Sequence, residues 1–300
     1  MSDRIVVSGA SGLIGGALVA SLRADGVRVV ELVRREARNA DEVQWLAGDG
    51  ALNPDAVAGA SAVVNLNGAS IGRLPWTRGY RRTLVSSRVT PTRELATTIH
   101  KLGTDAPAFV SASAVGFYGD RPGETLTESS GPGTGLLSEL CSTWEREALA
   151  AGPHARVAVL RTASVLHPQG MLKPMMMLTR FGLAGPLGGG SQVWPWISLK
   201  DEVRAIRHVL DKGLTGPVNL SGPTPSTANE IGRAISRAMR RPFWLPAPAW
   251  ALRLALTQDA ADSLLLSDAV VKPAALVESG FAFQHETAVS AIDAEIGEKR

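Results

Sequence analysis

Cysteine is almost absent: among 300 residues only Cys141 carries a thiol. One thiol cannot close an intrachain disulfide and cannot build a thiolate metal site. The five histidines (His100, His154, His167, His208 and His285) are scattered without an i, i+4 pair, so no metal site is expected. A charge excess is missing too. Lys and Arg number 31 against 28 Asp and Glu, a net +3, and basic runs stop at pairs such as Arg34-Arg35, Arg81-Arg82 and Arg240-Arg241. Nucleic acid is therefore not an expected partner. The longest apolar runs, at 247–256 and 264–266, are short and are broken or flanked by Arg253, Asp262 and Asp268. They fall well below the roughly 20 residues of a membrane span, so no membrane partner is expected. Met1 leads straight into a strand and a glycine-rich turn, unlike a signal peptide, and the expected compartment is the cytoplasm. The partner expected is a small-molecule substrate, unidentified; the sequence leaves the oligomeric state undetermined.

What is present is an ordinary globular mix, 45% hydrophobic and 20% charged, arranged in alternating strand and helix patterns. Residues 4–8, 27–33, 62–66, 109–113 and 157–160 read as short buried strands. Residues 13–24, 82–102 and 136–150 read as helices between them. Alternation of this kind predicts βαβ units, a parallel sheet and a doubly wound α/β fold of Rossmann type. Residues 1–165 would form the domain built on that sheet. Residues 166–300 would form a smaller, mainly helical domain, helical from about 228, with 218–221 returning one strand to the main sheet.

The most informative stretch is Gly9-Ala10-Ser11-Gly12-Leu13-Ile14-Gly15. It follows the first strand and opens the first helix. Glycines there permit a tight turn and a close backbone approach to a pyrophosphate, which the helix N-terminal amides then hold. A plain glycine turn is the competing reading, and the strand–loop–helix–strand context favours the phosphate loop. The second strand ends Leu32-Val33-Arg34-Arg35, without the terminal acid that usually holds a ribose 2′-hydroxyl; Glu31 falls inside the strand. Guanidinium groups at that tip suit a 2′-phosphate, which predicts NADP(H), although two solvated arginines would give the same sequence.

Several longer stretches then carry a resemblance: Gly9–Gly15, 63–68, Ser86-Ser87-Arg88-Val89, 111–119, Trp144-Glu145, 192–201, Arg241-Pro242, Pro273 and Gly280-Phe281. With these the chain resembles an atypical extended short-chain dehydrogenase/reductase, in the sugar-nucleotide-epimerase-like "epimerase family protein" group. The resemblance implies that residues 1–165 are an NADP-binding Rossmann domain and residues 166–300 a small substrate-side domain that includes the family's C-terminal domain. It places Arg34 at the adenosine phosphate and Leu66, Asn67 and Gly68 along the adenine-ribose side. Arg88 would be within reach of the cofactor and Val165 near the nicotinamide. Core packing for Leu66 and Val165, and an exposed helix charge for Arg88, are the simpler alternatives.

The pattern departs from the family at its chemistry. Such enzymes normally use Tyr-x-x-x-Lys, whose spacing puts both groups on one helix face. Here Tyr80 is followed four residues on by Leu84 and Tyr118 by Pro122. Aligned on Trp144-Glu145, the pair's positions hold Leu137 and Cys141. Ser113, at a strand end, is the candidate to hold a substrate oxygen, and Tyr118 a candidate proton donor; strand-end capping and an aromatic wall are their structural alternatives. Cys141 reads as a buried structural thiol. Gly185–Gly190 could act as a lid, with Gln192 and Trp196 as substrate contacts, or could simply connect packed elements. Arg161 would pair with an acidic substrate or with Asp201. Two functions remain open: an NADP(H)-dependent oxidoreductase or epimerase-like enzyme, and a non-catalytic NADP(H)-sensing module that binds a partner.

Overall fold

Runs of β-branched residues flanked by turns build the centre of the computed structural model, which describes residues 4–48 and 51–297. Its strands are β1 (Arg4–Ser8), β2 (Arg28–Val33), β3 (Glu42–Gln44), β4 (Ala62–Asn65), β5 (Ala108–Ala114), β6 (Thr125–Leu126), β7 (Val157–Thr162), β8 (Ser164–Leu166), β9 (Trp196–Ser198), β10 (Gly216–Leu220) and β11 (Val270–Val271). Seven of them form one sheet in the order β10-β7-β5-β4-β1-β2-β3, with every pairing parallel. The last strand of that sheet, β10, comes from beyond residue 165, as the sequence suggested. Short parallel pairs, β6 with β11 and β8 with β9, lie outside it.

The helices are α1 (Leu13–Ala24), α2 (Arg78–His100), α3 (Leu136–Leu149), α4 (Leu172–Arg180), α5 (Leu199–Lys212), α6 (Ala228–Ala238), α7 (Ala249–Leu256), α8 (Gln258–Ala261), α9 (Ala274–Glu278) and α10 (Ala288–Gly297). Parallel strands must be covered on both faces. One face buries Leu18, Leu22, Val203, Ile206 and Leu276 of α1, α5 and α9. The other buries Leu95, Ile99 and Ala148 of α2 and α3. A third cluster joins Ile231 and Ile235 of α6, Ile292 of α10, Leu172 of α4, Trp194 and Trp196 into a helical layer at the C-terminal side. Thr227 and Glu230 close a reciprocal cap at the start of α6, which fixes where that layer begins.

The strand order reverses between β1 and β4. Ligands of open α/β sheets bind at the carboxyl ends of strands beside such a switch point, so the β1, β4, β5 and β7 ends frame the site.

Candidate active site

The loop from β1 into α1 is shaped by two glycines. Gly9 has φ +80°, and a Cβ there would lie 2.6 Å from the Leu66 carbonyl. At Gly15 a Cβ would drive into the Gly9 carbonyl oxygen and come 2.9 Å from the Ala10 Cα. Gly12 donates its N–H to Gly9 O at 3.0 Å and caps α1 without a side-chain hydrogen bond. No acidic residue stands in the first turn of α1. Ser11 and Gly12 are exposed, and Leu13 and Ile14 are half-buried. The result is a shallow cradle of backbone amides at a positive helix end, the form that suits an anion.

The tip of β2 separates its two arginines. Arg35 makes a bidentate pair with Glu42 at 2.6 Å and 2.6 Å. That guanidinium and the Arg38 amide hold the Glu42 carboxyl down at about 2. Glu31 lies inside β2 and pairs with Arg23 at 2.9 Å. Arg34 is exposed and has no side-chain partner among the described residues. The sequence offered both guanidinium groups at this tip and the resemblance placed Arg34 at the adenosine phosphate; of the two side chains, Arg34 is the one without a partner among the described residues.

Behind the cradle, polar residues of adjacent strands stand side by side because their registers match: Ser8 opposite Asn65, and Asn65 opposite Ser111. Asn67 Nδ2 donates to Ser8 Oγ at 2.6 Å and to Asn65 Oδ1 at 2.8 Å. Asn65 Nδ2 donates to Thr92 Oγ1 at 2.7 Å, which also accepts from Trp144 Nε1 at 2.8 Å. This network ties β4 to α2 and α3, and holds Leu66, Asn67 and Gly68 at the strand end. Arg88 lies beneath them. Its guanidinium donates to the carbonyls of Leu84 (3.0 Å) and Ala69 (2.9 Å), stacks on Trp144 at 5.3 Å, and would sit 3.1 Å from a Cβ on Gly68. Burial draws its pKa below the ordinary arginine value. Val165 of β8 is brought to the glycine loop through Gly170, where a Cβ would be 3.0 Å from Val165 O and 3.4 Å from Leu13 Cδ2.

A second polar row runs along the β5, β7 and β10 ends, where Ser113, Arg161 and Asn219 occupy matching positions. Ser113 Oγ donates to Glu145 Oε1 at 2.7 Å. Arg161 grips the same carboxylate with Nε and Nη2, both at 2.9 Å, in a buried bidentate pair. Sequence reasoning offered Arg161 a substrate acid or Asp201; the structure corrects this. Asp201 pairs with Arg204 at 2.8 Å and accepts from Ser198 Oγ at 3.1 Å, turned toward the C-terminal layer. Burial alone would lower the Arg161 pKa, but its hydrogen bond and charge interaction with Glu145 raise it.

Tyr118 is fully buried at the edge of this row. Its hydroxyl, with one proton to donate, lies 2.7 Å from Asn219 Oδ1 and 3.0 Å from Thr127 O, and accepts from Arg161 Nη1 at 3.0 Å. Burial raises its pKa, against the lowering pull of Arg161. Cys141 lies between Ser113 and Leu137, buried, its thiol pushed up to about 12 by desolvation and then by Glu145. At that value it is no nucleophile. Leu137, Cys141 and Glu145 follow one another at four-residue spacing along one face of α3.

Gln192 and Trp196 turn inward. Gln192 Nε2 donates to Leu187 O at 3.0 Å and Leu265 O at 2.7 Å, and Trp196 Nε1 to Thr224 O at 2.8 Å. The Gly185–Gly190 loop is pinned by Gly188 N to Ala247 O and Ala247 N to Pro186 O, both 2.8 Å. The residue that sequence reasoning missed is Glu145. Its signal was Arg161 itself, a charge at the end of the apolar run 157–160 in a buried strand, which needs a buried carboxylate.

A glycine cradle at the switch point of a seven-stranded parallel sheet defines a Rossmann-type α/β protein. The model of the "NAD dependent epimerase/dehydratase family" matches residues 5–221, and the "Domain of unknown function (DUF1731)" matches 247–295. The chain belongs to that epimerase/dehydratase family. It is 41% identical over 288 residues to Epimerase family protein Mb2239 of Mycobacterium bovis, covering 94% of each chain. It is 31% identical over 308 residues to YfhF of Bacillus subtilis, covering 99% of each. Among solved structures, human epimerase family protein SDR39U1 (isoform 2) with NADPH is similar at TM-score 0.88 and 26% identity, covering 98% of this chain and 99% of that one. Among the described residues no helix is long and apolar enough to cross a membrane.

Proposed function

We propose that the chain is an NADP(H)-dependent oxidoreductase or epimerase-like enzyme acting on a small carbinol or carbonyl compound. The cradle fits a pyrophosphate, because Gly9 and Gly15 let the loop fold tightly against the Leu66 carbonyl and its own backbone, the close turn such a group needs, and the α1 end carries no competing acid. Residues Gly9, Ser11, Gly12, Leu13, Ile14 and Gly15 would hold the dinucleotide, Arg34 its 2′-phosphate, and Leu66, Asn67, Gly68, Arg88 and Val165 the remainder. Such a cofactor supplies hydride transfer at its nicotinamide. The SDR39U1 structure with NADPH, covering nearly all of both chains, supports the choice of NADP(H).

One observation carries the chemical reading: the 2.7 Å bond from Ser113 Oγ to the Glu145 carboxylate that Arg161 fixes. In the oxidative direction a substrate hydroxyl gives its proton to Ser113 Oγ while the Ser113 proton passes to Glu145 Oε1. Reduction retraces the path. Tyr118, with its hydroxyl bonded on three sides, positions Arg161 in this scheme and touches no substrate.

The test is a panel of carbonyl compounds and sugar nucleotides, followed at the nicotinamide absorbance with NADPH and NADP+. A turnover that Ser113→Ala abolishes, and that Glu145→Gln slows with an altered pH profile, supports the scheme. Turnover unchanged in Ser113→Ala removes it. The inward bonding of Ser113 and Tyr118 favours one other reading, a sensing module; tight NADPH binding with no turnover across the whole panel would select it.

A further inference from the structure

Two stretches of the chain, 170–200 and 231–258, contain no acidic residue. The fold lays parts of them side by side. Trp244 N donates to Ala184 O at 2.9 Å and Trp244 Nε1 to Gly182 O at 3.1 Å, while Gly188 N reaches Ala247 O at 2.8 Å. Along this seam large apolar side chains face outward: Phe181 is 71% exposed, Trp244 63%, Trp250 69% and Leu254 82%. Helix α7 (AWALRLAL) buries none of its residues, although only Arg253 among them is polar. A helix this apolar normally packs on something.

Cations adjoin these groups along the chain. Arg180 adjoins Phe181, Arg240 and Arg241 lead into Trp244, and Arg253 adjoins Leu254; all four are exposed. Arg253 is partly neutralised by Asp262 at 2.8 Å. The side chains of Arg180, Arg240 and Arg241 have no partner among the described residues. The face is therefore apolar and cationic together, and charge complementarity asks for an anionic occupant. A two-fold contact with a second copy would set these arginines against one another. A nucleic acid would use the indoles and arginines but would leave Leu254 in water.

We propose that this face docks the protein on an anionic lipid surface, with Phe181, Trp244, Trp250 and Leu254 entering the boundary between headgroups and acyl chains. Arg180, Arg240 and Arg241 then meet lipid headgroup anions. Sequence reading excluded a membrane partner because no segment can span one; an interfacial contact needs no span. The inference stands apart from the proposed chemistry.

Cosedimentation of the full-length protein with vesicles tests it. Vesicles of equal parts phosphatidylcholine and phosphatidylglycerol should bind, pure phosphatidylcholine should not, and salt should weaken the binding. The Trp250→Ser/Leu254→Ser variant, altered only at exposed positions, should bind at least about tenfold more weakly. Arg240→Glu/Arg241→Glu should lose about tenfold or more. Both should keep wild-type thermal unfolding and NADPH affinity. Absence of binding, equal binding to the two vesicle types, or binding indifferent to both variants overturns the proposal. So does a wild-type dimer in sedimentation velocity that the Trp250→Ser/Leu254→Ser variant converts to monomer, which makes the face a self-contact. Displacement from vesicles by an RNA oligonucleotide that binds more tightly also overturns it.

Discussion

The glycine-loop end and the Ser113 end of the candidate site, proposed as its cofactor end and its chemical end, are built on opposite logics. Around Gly9–Gly15 the groups on offer are backbone amides, and no side chain intrudes. Around Ser113 the groups are side chains, and each is already answered by another: Ser113 by Glu145, Glu145 by Arg161, and Arg161 by Tyr118. The first end gains its shape from what is missing at Cβ. The second holds its shape through a buried ion pair that is costly to disturb. The recognising end is generic, and the chemical end is where the chain departs from Tyr-x-x-x-Lys.

The largest expected effect tests the first logic. Gly15→Val forces a branched side chain into the Gly9 carbonyl and should weaken NADPH binding by roughly 100-fold or more, measured by titration calorimetry. Gly16→Ala, where a Cβ meets only Ala10 O at 3.3 Å, should stay close to wild type. Equal losses in the two variants would show that the loop is sensitive throughout and that cradle shape is not the cause.

The second effect tests the other logic. Arg161→Met leaves the Glu145 carboxylate buried and unpaired, at a cost of about 3–5 kcal/mol in denaturant unfolding. Glu145→Leu/Arg161→Met should recover most of that. A double variant as unstable as the single one would mean that the pair is needed for packing and not merely for charge balance.

A smaller effect separates the neighbouring arginines. Arg34→Ala should weaken NADPH binding by about tenfold or more, the loss of a charge-assisted bond at about 1.5–3 kcal/mol, with NADH binding nearly unchanged. Arg35→Ala should leave the ratio of NADPH to NADH affinity close to wild type, since that side chain is committed to Glu42. A selectivity that follows Arg35 would reverse the assignment.

The same contrast explains what could be read in advance. β1 and α1 form where periodicity and the glycine spacing put them, because local patterns suffice there. β3 was missed: Glu42–Gln44 is a three-residue edge strand with one apolar residue, Val43, too short for its alternation to stand out. β6 and β11 are two residues each and pair across the chain, Thr125 with Val270, so no local window contains the cause. At the candidate site, the glycine loop was legible as a contiguous motif. Glu145 was not, since its partners lie 16 and 32 residues away and meet only through the β5–β7 register. Trp196 and Gln192 look like cleft residues beside a glycine-rich loop, but their N–H groups are consumed by backbone carbonyls.

Among the polar groups at the chemical end, Glu202 is the exception to mutual satisfaction. It is fully buried on α5, its Oε1 accepts from Thr162 Oγ1 at 2.9 Å, and its Oε2 has no partner among the described residues. Burial pushes its pKa up to about 8, and the Thr162 bond only partly opposes this. The unfolded chain releases that proton near the ordinary glutamate value, so between roughly pH 4.5 and 8 the folded state binds the extra proton. Stability from this group is full in acid and falls as pH rises through that window, by at most about 1.4 kcal/mol per pH unit, then levels off. Glu202→Gln mimics the protonated side chain and should erase that slope, so its stability relative to wild type should improve steadily from pH 5 to pH 8 in urea titrations. A wild-type-minus-variant difference that does not change with pH would mean that Glu202 titrates in the folded protein as it does in the unfolded chain, and that burial does not hold its proton.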